Sequence, residues 1–586
     1  MWFLSMKIKL KGGDLSLFEA FVSCKGRINR KIFIGLFFLL LFVYASVCLV
    51  FNLVDLSTPV TISVIFLYFF ISIYIKRLHD TNRSGYWLLA SLVPFFGLVY
   101  INIIAFIGKT KKDNKYGEAN NYGAIAYFTN PTVKEINSKY IVNDITKMNP
   151  VIVKDVLVPK TTDDVCRFLK TTDSAISIGG GRFSMGGHTA SPNTTHIDMR
   201  GLNKILNYSL ENRTVEVEAG ARWCDIQKFV SQFDLSVKIM QTYANFTVGG
   251  SLSVNVHGRY IGLGPVVMSV RSITIALASG EVVKASPNDN QDIFYGAIGG
   301  YGGIGIILSV ELELAKNTNL LRVNKRIPIS KYRKFFEEKV KADSNVVFHN
   351  ADVYPKKYSK VNAVSWINTD KKTKLPKLQV PKRVHPIGMY FLWAISMTPL
   401  GKWRREHIID RLVFLKNIVH SRNYEAGYNV AELNPISGKN FSWVLQEYFV
   451  PVRYMESFIK EMSDTLNDFD VNVLNISIRH AEKDPGTLLA WADEEVYAFV
   501  LYYRQNTDEL ARNKVAIWTR LLITTALKYS GKYYLPYQLH ATDEQLHKAY
   551  PNMQTYFKLK DKLDPNYRLQ SSFFNKYYKN SPMRTN

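Results

Sequence analysis

At 586 residues the chain has room for three or four units, and 47% apolar with 13% aromatic residues supplies large cores. The formal charge of +25 asks for an acidic partner, and long apolar stretches near the N-terminus point to anionic lipid rather than nucleic acid. Four cysteines (Cys24, Cys48, Cys166, Cys224) show no C-x-x-C spacing and imply neither a disulfide framework nor a zinc site, and no metal is expected.

Three apolar stretches come first, at residues 32–54, 60–75 and 86–107. The first and third have the length of a spanning helix and the second nearly does. No short apolar region with a small-residue cleavage site precedes them, so a removable leader is not expected. Residues 1–120 therefore read as a helical transmembrane domain, with buried core helices as the alternative. Lys/Arg clusters lie before the first stretch, between the second and third, and after the third. All three face one side if the break at Pro94–Gly97 makes the third stretch re-entrant or two short passes, which expects a cytoplasmic catalytic part. Arg77, His79 and Asp80 are candidates for a headgroup or ion, or plain topology signals. Residues 121–150 read as a polar linker.

From residue 151 the pattern changes. A strand, a Thr/Asp cap and an amphipathic helix lead to Gly-Gly-Gly-Arg-Phe-Ser-Met-Gly-Gly-His at residues 179–188. Side chains are missing there so that something else can approach the backbone, and successive N–H groups of such a loop suit phosphate. A second stretch, Thr-Val-Gly-Gly-Ser-Leu-Ser-Val-Asn-Val-His-Gly, occupies 247–258, and a third, Ala-Ile-Gly-Gly-Tyr-Gly-Gly-Ile-Gly-Ile-Ile, occupies 297–307. Neither fits the full dinucleotide fingerprint of a strand, G-x-G-x-x-G, a helix and a later acidic residue, and no G-x-x-x-x-G-K-[ST] loop exists, which counts against a nicotinamide fold and a nucleotide triphosphatase.

Together the three loops resemble the flavin domain of the vanillyl-alcohol-oxidase, or PCMH-type, flavoproteins. The resemblance implies an α+β FAD-binding domain over 151–315, with FAD contacted by Gly179, Gly180, Gly181, Arg182, Phe183, Ser184, Met185, Gly187 and His188 of the first loop. It adds Thr247, Gly249, Gly250, Ser251, Ser253, Asn255, His257 and Gly258 of the second, and Gly300, Gly302, Gly303, Gly305 and Ile307 of the third. Many relatives carry a flavin-linked histidine where Phe183 stands, so FAD is expected to be non-covalent, with His188 the one nearby substitute. Val256 is bulky where several oxidases have a small residue, which implies a dehydrogenase passing electrons to a quinone or other carrier.

Residues 316–540 read as an α/β substrate-covering cap domain with an antiparallel sheet, and 541–586 as a segment returning to the FAD domain. Phe-Ser-Trp-Val-Leu-Gln-Glu-Tyr-Phe-Val-Pro at 441–451 resembles a strand of decaprenylphosphoryl-ribose oxidase and its relatives. Gly-Lys-Tyr-Tyr-Leu-Pro-Tyr at 531–537 resembles another segment of that group, with Tyr537 where the group has a lysine. The tail around Asp564-Pro-Asn-Tyr-Arg568 resembles that of sugar-type flavin oxidoreductases, sugar and alditol oxidases among them. Catalysis needs a group near the reacting hydroxyl, and the candidates are Tyr537, Arg479, His480, Lys532, Gln446 and Tyr503, with Tyr448 beside them. Residues 382–405 have an apolar centre with basic and tryptophan flanks, suited to a membrane interface or to a buried helix.

The N-terminal flanks, such as Arg77-Leu-His-Asp-Thr-Asn-Arg-Ser-Gly-Tyr-Trp87, resemble a small bacterial inner-membrane domain of unknown function. The expectation is a membrane-anchored FAD-dependent oxidoreductase of the bacterial inner membrane. It would oxidise an alcohol of a polyol, sugar or lipid-linked sugar. The alternatives are a flavin-dependent reductase of a lipid carbon–carbon double bond, and a non-catalytic flavin-binding module.

Overall fold

The architecture comes from a computed structural model that describes residues 7–10, 13–16, 30–53, 60–81, 83, 105–106, 140–379, 395–398, 400–428 and 440–579. The chain divides into two compact units, Met1–Lys134 and Glu135–Asn586.

In the first unit a hairpin of β1 (Lys7–Leu10) and β2 (Gly13–Ser16) precedes α1 (Arg30–Leu53, 24 residues) and α2 (Val60–Asp80, 21 residues). The described side chains of α1 end at residue 45, and among the described residues no helix is long and apolar enough to cross a membrane. Phe33, Leu36, Leu40, Ile73 and Ala105 form its core. Arg77 is fully buried and bonds the Ala105 carbonyl (2.8 Å) and the Asp80 carboxylate, so this pair is engaged inside the unit. Most of the stretch 86–107, the break at 94–97 and residues 120–139 lie outside the described residues.

The second unit begins earlier than a linker ending at 150 would allow. Ile141–Val142 pairs with Val151–Ile152. Asp144 Oδ2 accepts from Gly187 N–H (3.2 Å), and Asn149 Nδ2 donates to the Met185 carbonyl (3.1 Å). Polar composition made this stretch look like a tether, but its side chains serve as a brace behind the first glycine loop.

A parallel sheet in the order β3 (Asp155–Leu157), β5 (Thr195–Asp198), β4 (Ile176–Gly179) carries that loop at the end of β4. Helix α3 (Thr162–Thr171) links β3 to β4 and starts at a capping box made by Thr161 and Asp164. The next sheet is antiparallel: β6 (Ile205–Ser209), β7 (Thr214–Glu218), β8 (Leu235–Val237), β9 (Val270–Ala276), β10 (Val282–Ala285) and β11 (Ile306–Lys316). It runs β10-β9-β11-β7-β6, with β8 also on β11. Helices α4 (Trp223–Val230), α5 (Val248–Ser253) and α6 (Gln291–Ala297) complete this α+β half, α5 lying within the second glycine loop.

The other half is an eight-stranded antiparallel sheet in the order β15-β12-β14-β13-β17-β18-β16-β19. Its strands are β12 (Asn319–Pro328), β13 (Val346–Val353), β14 (Lys360–Asn368), β15 (Val419–Ser421), β16 (Phe441–Pro451), β17 (Asn472–Ala481), β18 (Val496–Asn506) and β19 (Lys532–Tyr533). Between β14 and β15 come α7 (Gly401–Arg404), a π-helical turn (Arg405–Ile409) and α8 (Asp410–Val413). One face of the sheet is covered by α9 (Met455–Asp468) and α10 (Glu509–Lys528), whose buried residues include Phe458, Met462, Trp518 and Leu522. Finally α11 (Met553–Leu563) leads to a tail that returns to the first sheet, where Leu569 bridges Ile176 in parallel. Of the segment 382–405, residues 382–394 lie outside the described residues.

Candidate active site

The three glycine loops converge on one cavity with about 1410 Å³ of open space, mouth included. Gly180 to Met185 line one wall, Gly249 to Ser251 and Ser253 a second, and Gly302 with Gly305 to Ile307 a third. The loops are tied to each other, since Gly181 N–H donates to Thr247 Oγ1 (3.1 Å). A Cβ on Gly180 would collide with that same hydroxyl, and one on Gly249 would sit 2.8 Å from Ala219 Cβ. The glycines let backbones close up on each other and leave a stretch of cavity wall free of side chains. The third loop is held from behind by α11. Tyr556 donates to the Gly300 carbonyl (2.5 Å), and the fully buried Lys560 ammonium donates to the Gly303 carbonyl (2.8 Å) and Asp564 (2.9 Å).

The cavity wall is short of partners. Arg182 Nε, Ser184 Oγ, both ring nitrogens of His188, Thr242 Oγ1 and Arg479 Nε are buried without a hydrogen bond, and all six atoms belong to lining residues. Native interiors carry few such atoms, and their gathering on one cavity marks a polar ligand that would complete them. Phe183 stacks on Phe246 (4.3 Å between centroids, 5° between planes) and gives the same cavity an aromatic wall. Burial pushes His188 down to about 4, so its imidazole is neutral near pH 7.

Opposite the glycines the eight-stranded sheet presents one face. Glu447 on β16 pairs with Val500 on β18, and Val500 with Ser477 on β17, two residues before Arg479. Alternation along each strand sets Leu445, Glu447, Val500 and Arg479 on the cavity side. His257, from the second loop, places Nε2 2.5 Å from Glu447 Oε1, and its Nδ1 lies 3.2 Å from the Gly258 carbonyl. That carbonyl can only accept, so Nδ1 carries a proton and Nε2 is the nitrogen that faces the carboxylate. Tyr537 donates to Glu447 Oε2 (3.3 Å). Burial raises the Tyr537 phenol well above its usual range, and the Glu447 charge adds to the rise, so Tyr537 stays protonated as a donor. Burial lowers the Arg479 guanidinium's pKa, an effect the neighbouring Glu447 opposes.

Of the sequence candidates, Arg479 and Tyr537 line the cavity, and four others are turned away. Gln446 faces the helices behind the sheet, where it meets Tyr503, Thr519 and Tyr448. His480 Nε2 donates to the Glu495 carboxylate (2.6 Å), which also pairs with Lys341. Lys532 bonds the Ala490 carbonyl (2.7 Å) and Asp493 (2.8 Å). Strand parity is the reason, because each of Gln446, His480 and Tyr503 is one residue out of phase with the cavity side. Among the cofactor candidates, Gly179, Gly187, Asn255, Gly258, Gly300 and Gly303 do not line the cavity. Asn255 instead grips Asp484 (2.8 Å) and the Val267 N–H (3.3 Å), which fixes the backbone leading into His257. Glu447 is the residue the sequence reading passed over, along with Thr242, Tyr243 and Phe246, a polar-aromatic run just before the second loop.

Residues 153–286 match the family model of an FAD binding domain, residues 387–580 that of D-arabinono-1,4-lactone oxidase, and residues 21–118 a protein of unknown function (DUF805). The fold and the glycine cradle thus define a PCMH-type flavoprotein whose cofactor is FAD. One chain thus joins a segment similar to an FAD binding domain to a segment similar to D-arabinono-1,4-lactone oxidase. Relatives include cytokinin dehydrogenase 2 of Arabidopsis thaliana, 27% identical over 29% of this chain and 35% of that protein. Cytokinin dehydrogenase 5 of the same plant is 29% identical over 31% of this chain and 36% of its own length. L-gulonolactone oxidase of Mus musculus is 22% identical over 65% of this chain and 85% of its own. The chain thus spans about a third of the length of the cytokinin dehydrogenases it matches.

Proposed function

We propose that the chain oxidises an alcohol carbon of a polyol, sugar, sugar lactone or lipid-linked sugar, with FAD bound non-covalently and a quinone or other carrier as the final acceptor. The observation that carries this reading is Glu447 in contact with His257, flanked by Tyr537 and Arg479, facing the glycine cradle across one cavity. FAD, when bound, supplies the acceptor for the two electrons and the hydrogen of the alcohol carbon. Glu447 and His257 are the pair that takes the hydroxyl proton, which the two would then share across their contact. Arg479 stabilises the alkoxide as the proton leaves, and Tyr537 orients the Glu447 carboxylate. The product is the carbonyl compound.

The cradle candidates that would hold FAD are Gly180, Gly181, Arg182, Ser184, Thr247, Gly249 and Gly250, with Phe183 as an apolar neighbour that offers no nucleophilic nitrogen. Acid precipitation of the yellow protein should release all flavin to the supernatant; colour kept in the pellet would assign a covalent bond to another residue, His188 first. The activity itself is tested by dye-coupled oxidation across polyols, sugars and sugar lactones. Glu447→Gln should keep the flavin spectrum and lose about 10²–10⁴-fold in turnover. A variant as fast as the parent sinks the base assignment, and flavin reduced by NADPH but by no alcohol favours the double-bond reductase.

The same reading places the chain at the bacterial inner membrane, with the catalytic unit in the cytoplasm. It is supported by the apolar side chains of Phe38, Leu39, Leu41 and Phe42 exposed on the surface of α1. Cleavage of the catalytic unit by protease added to intact cells counts against that orientation.

A further inference from the structure

The segment after residue 400 is amphipathic the wrong way round. Apart from Phe414, which packs against the core under Arg322, its inward contacts with the sheet are polar. Arg405 donates to the Asn475 side chain (3.0 Å) and the Leu474 carbonyl, Asp410 accepts from Tyr354 (3.0 Å), and Arg322 grips the Val413 (2.7 Å) and Lys416 (3.1 Å) carbonyls. Its outward side is apolar: Leu400 is 71% exposed, Trp403 50%, Ile408 46%, Leu412 64% and Leu415 73%. The π-helical turn Arg405–Ile409 aligns these residues. The i to i+5 repeat of a π turn brings Trp403 near Ile408, an ordinary spacing of four adds Leu412, and Leu415 follows in the bend after α8. A segment held to its own protein by hydrogen bonds to side chains and carbonyls, with leucines facing out, is built to be covered by something apolar.

We propose that this stripe is a membrane-docking surface of the catalytic unit, seated at the headgroup–acyl boundary of an anionic bilayer. The charge around it selects that occupant. Lys402, Arg404, Arg411 and Lys416 border the stripe, and Arg411 and Lys416 are exposed. A second copy of a chain with a net charge of +25 would bring like charges together, whereas anionic headgroups complement them. Trp403, stacked on His407 (4.9 Å, 14°), is the residue type that settles at the boundary, and the basic stems can reach outward to headgroups. The surface also has a functional address. Arg405 holds Asn475, which shares a strand face with Arg479, four residues along β17 and roughly 13 Å away at ~3.3 Å per residue. An amphiphilic substrate would therefore meet the catalytic unit near the bilayer plane.

The test uses the full chain reconstituted in phosphatidylglycerol vesicles containing nitroxide-labelled lipid, with an environment-sensitive fluorophore on Leu412→Cys, on Phe42→Cys of α1, or on Leu510→Cys at the start of α10, corrected for the native cysteines. Leu412 and Phe42 labels should shift to the blue and be quenched several-fold more than the Leu510 label, and Lys402→Glu with Arg411→Glu should abolish the effect at Leu412 alone. A Leu412 label that behaves like the Leu510 label while Phe42 is quenched overturns the docking surface and leaves the anchor intact. Quenching lost at Phe42 but kept at Leu412 does the reverse. A blue shift at Leu412 that follows protein concentration without lipid quenching assigns the stripe to a second copy and also overturns the proposal.

Discussion

Gln446 and Glu447 are neighbours on β16, yet one faces a helix and the other the cavity. The sequence around them offers no alternation to choose between them, because the strand is buried on both faces and reads as a continuous apolar and aromatic run. A one-residue error in phase exchanges every side chain for its neighbour, and the same error explains His480 against Arg479. Glycines gave a better guide, since the absence of a side chain is visible in sequence whatever the phase. Gly249 is the sharpest case: its amide donates to the Ala219 carbonyl (2.7 Å), and an added methyl would press on Ala219. Overpacking of this kind costs about 1–3 kcal/mol. Gly249→Ala should therefore weaken FAD about 10–100-fold in a fluorescence titration of the apoprotein, with the fold kept. Unchanged affinity would mean that the second loop does not carry the cofactor.

At the scale of elements, the strands and loops of the FAD half were legible because turns, caps and β-branched runs are local signals. The return of the tail was implied by its resemblance, and what was not legible was the set of contacts that fastens it. Arg568 and Gln570 looked like ordinary polar residues, yet Arg568 bonds the Leu169 (3.1 Å), Ala278 and Thr172 carbonyls, and the Arg568 carbonyl and Gln570 N–H pair with Ile176. Lys560 and Asp564 form a buried pair between α11 and the third glycine loop. Removing one partner of such a pair leaves a charge alone in the interior, at a cost of about 3–5 kcal/mol. Lys560→Met should lower the midpoint in urea accordingly and loosen FAD, while Lys560→Met with Asp564→Leu should recover much of the stability. A single variant as stable as the parent would rule out the lock.

For the whole molecule the buried imidazoles set the response to acid. Burial holds His188 and His196 at about 4 and His349 at about 3, below the 6.5 of an exposed imidazole. In the unfolded chain they take up protons near pH 6.5, and in the folded chain only well below that. The unfolded state thus binds more protons throughout this window, and stability falls as pH drops from about 6.5 toward 4. Above pH 7 these groups contribute no slope. The melting temperature should decline steadily between pH 6.5 and 5, and His349→Gln should flatten part of that decline. A melting temperature independent of pH over that range would contradict the burial of all three.

The parallel bridge between Ile176 and Leu569 also dictates an order of events during synthesis. The first sheet emerges from the ribosome almost four hundred residues before the strand that closes it, and the lock on the third glycine loop is translated later still than the whole cap. Long-range closure of this kind is slow and leaves sheet edges open meanwhile. Cofactor capture is therefore a post-translational event for this chain. A ribosome that stops short of residue 560 would release a protein with every flavin-facing glycine in place but without the Lys560 bond to the third loop.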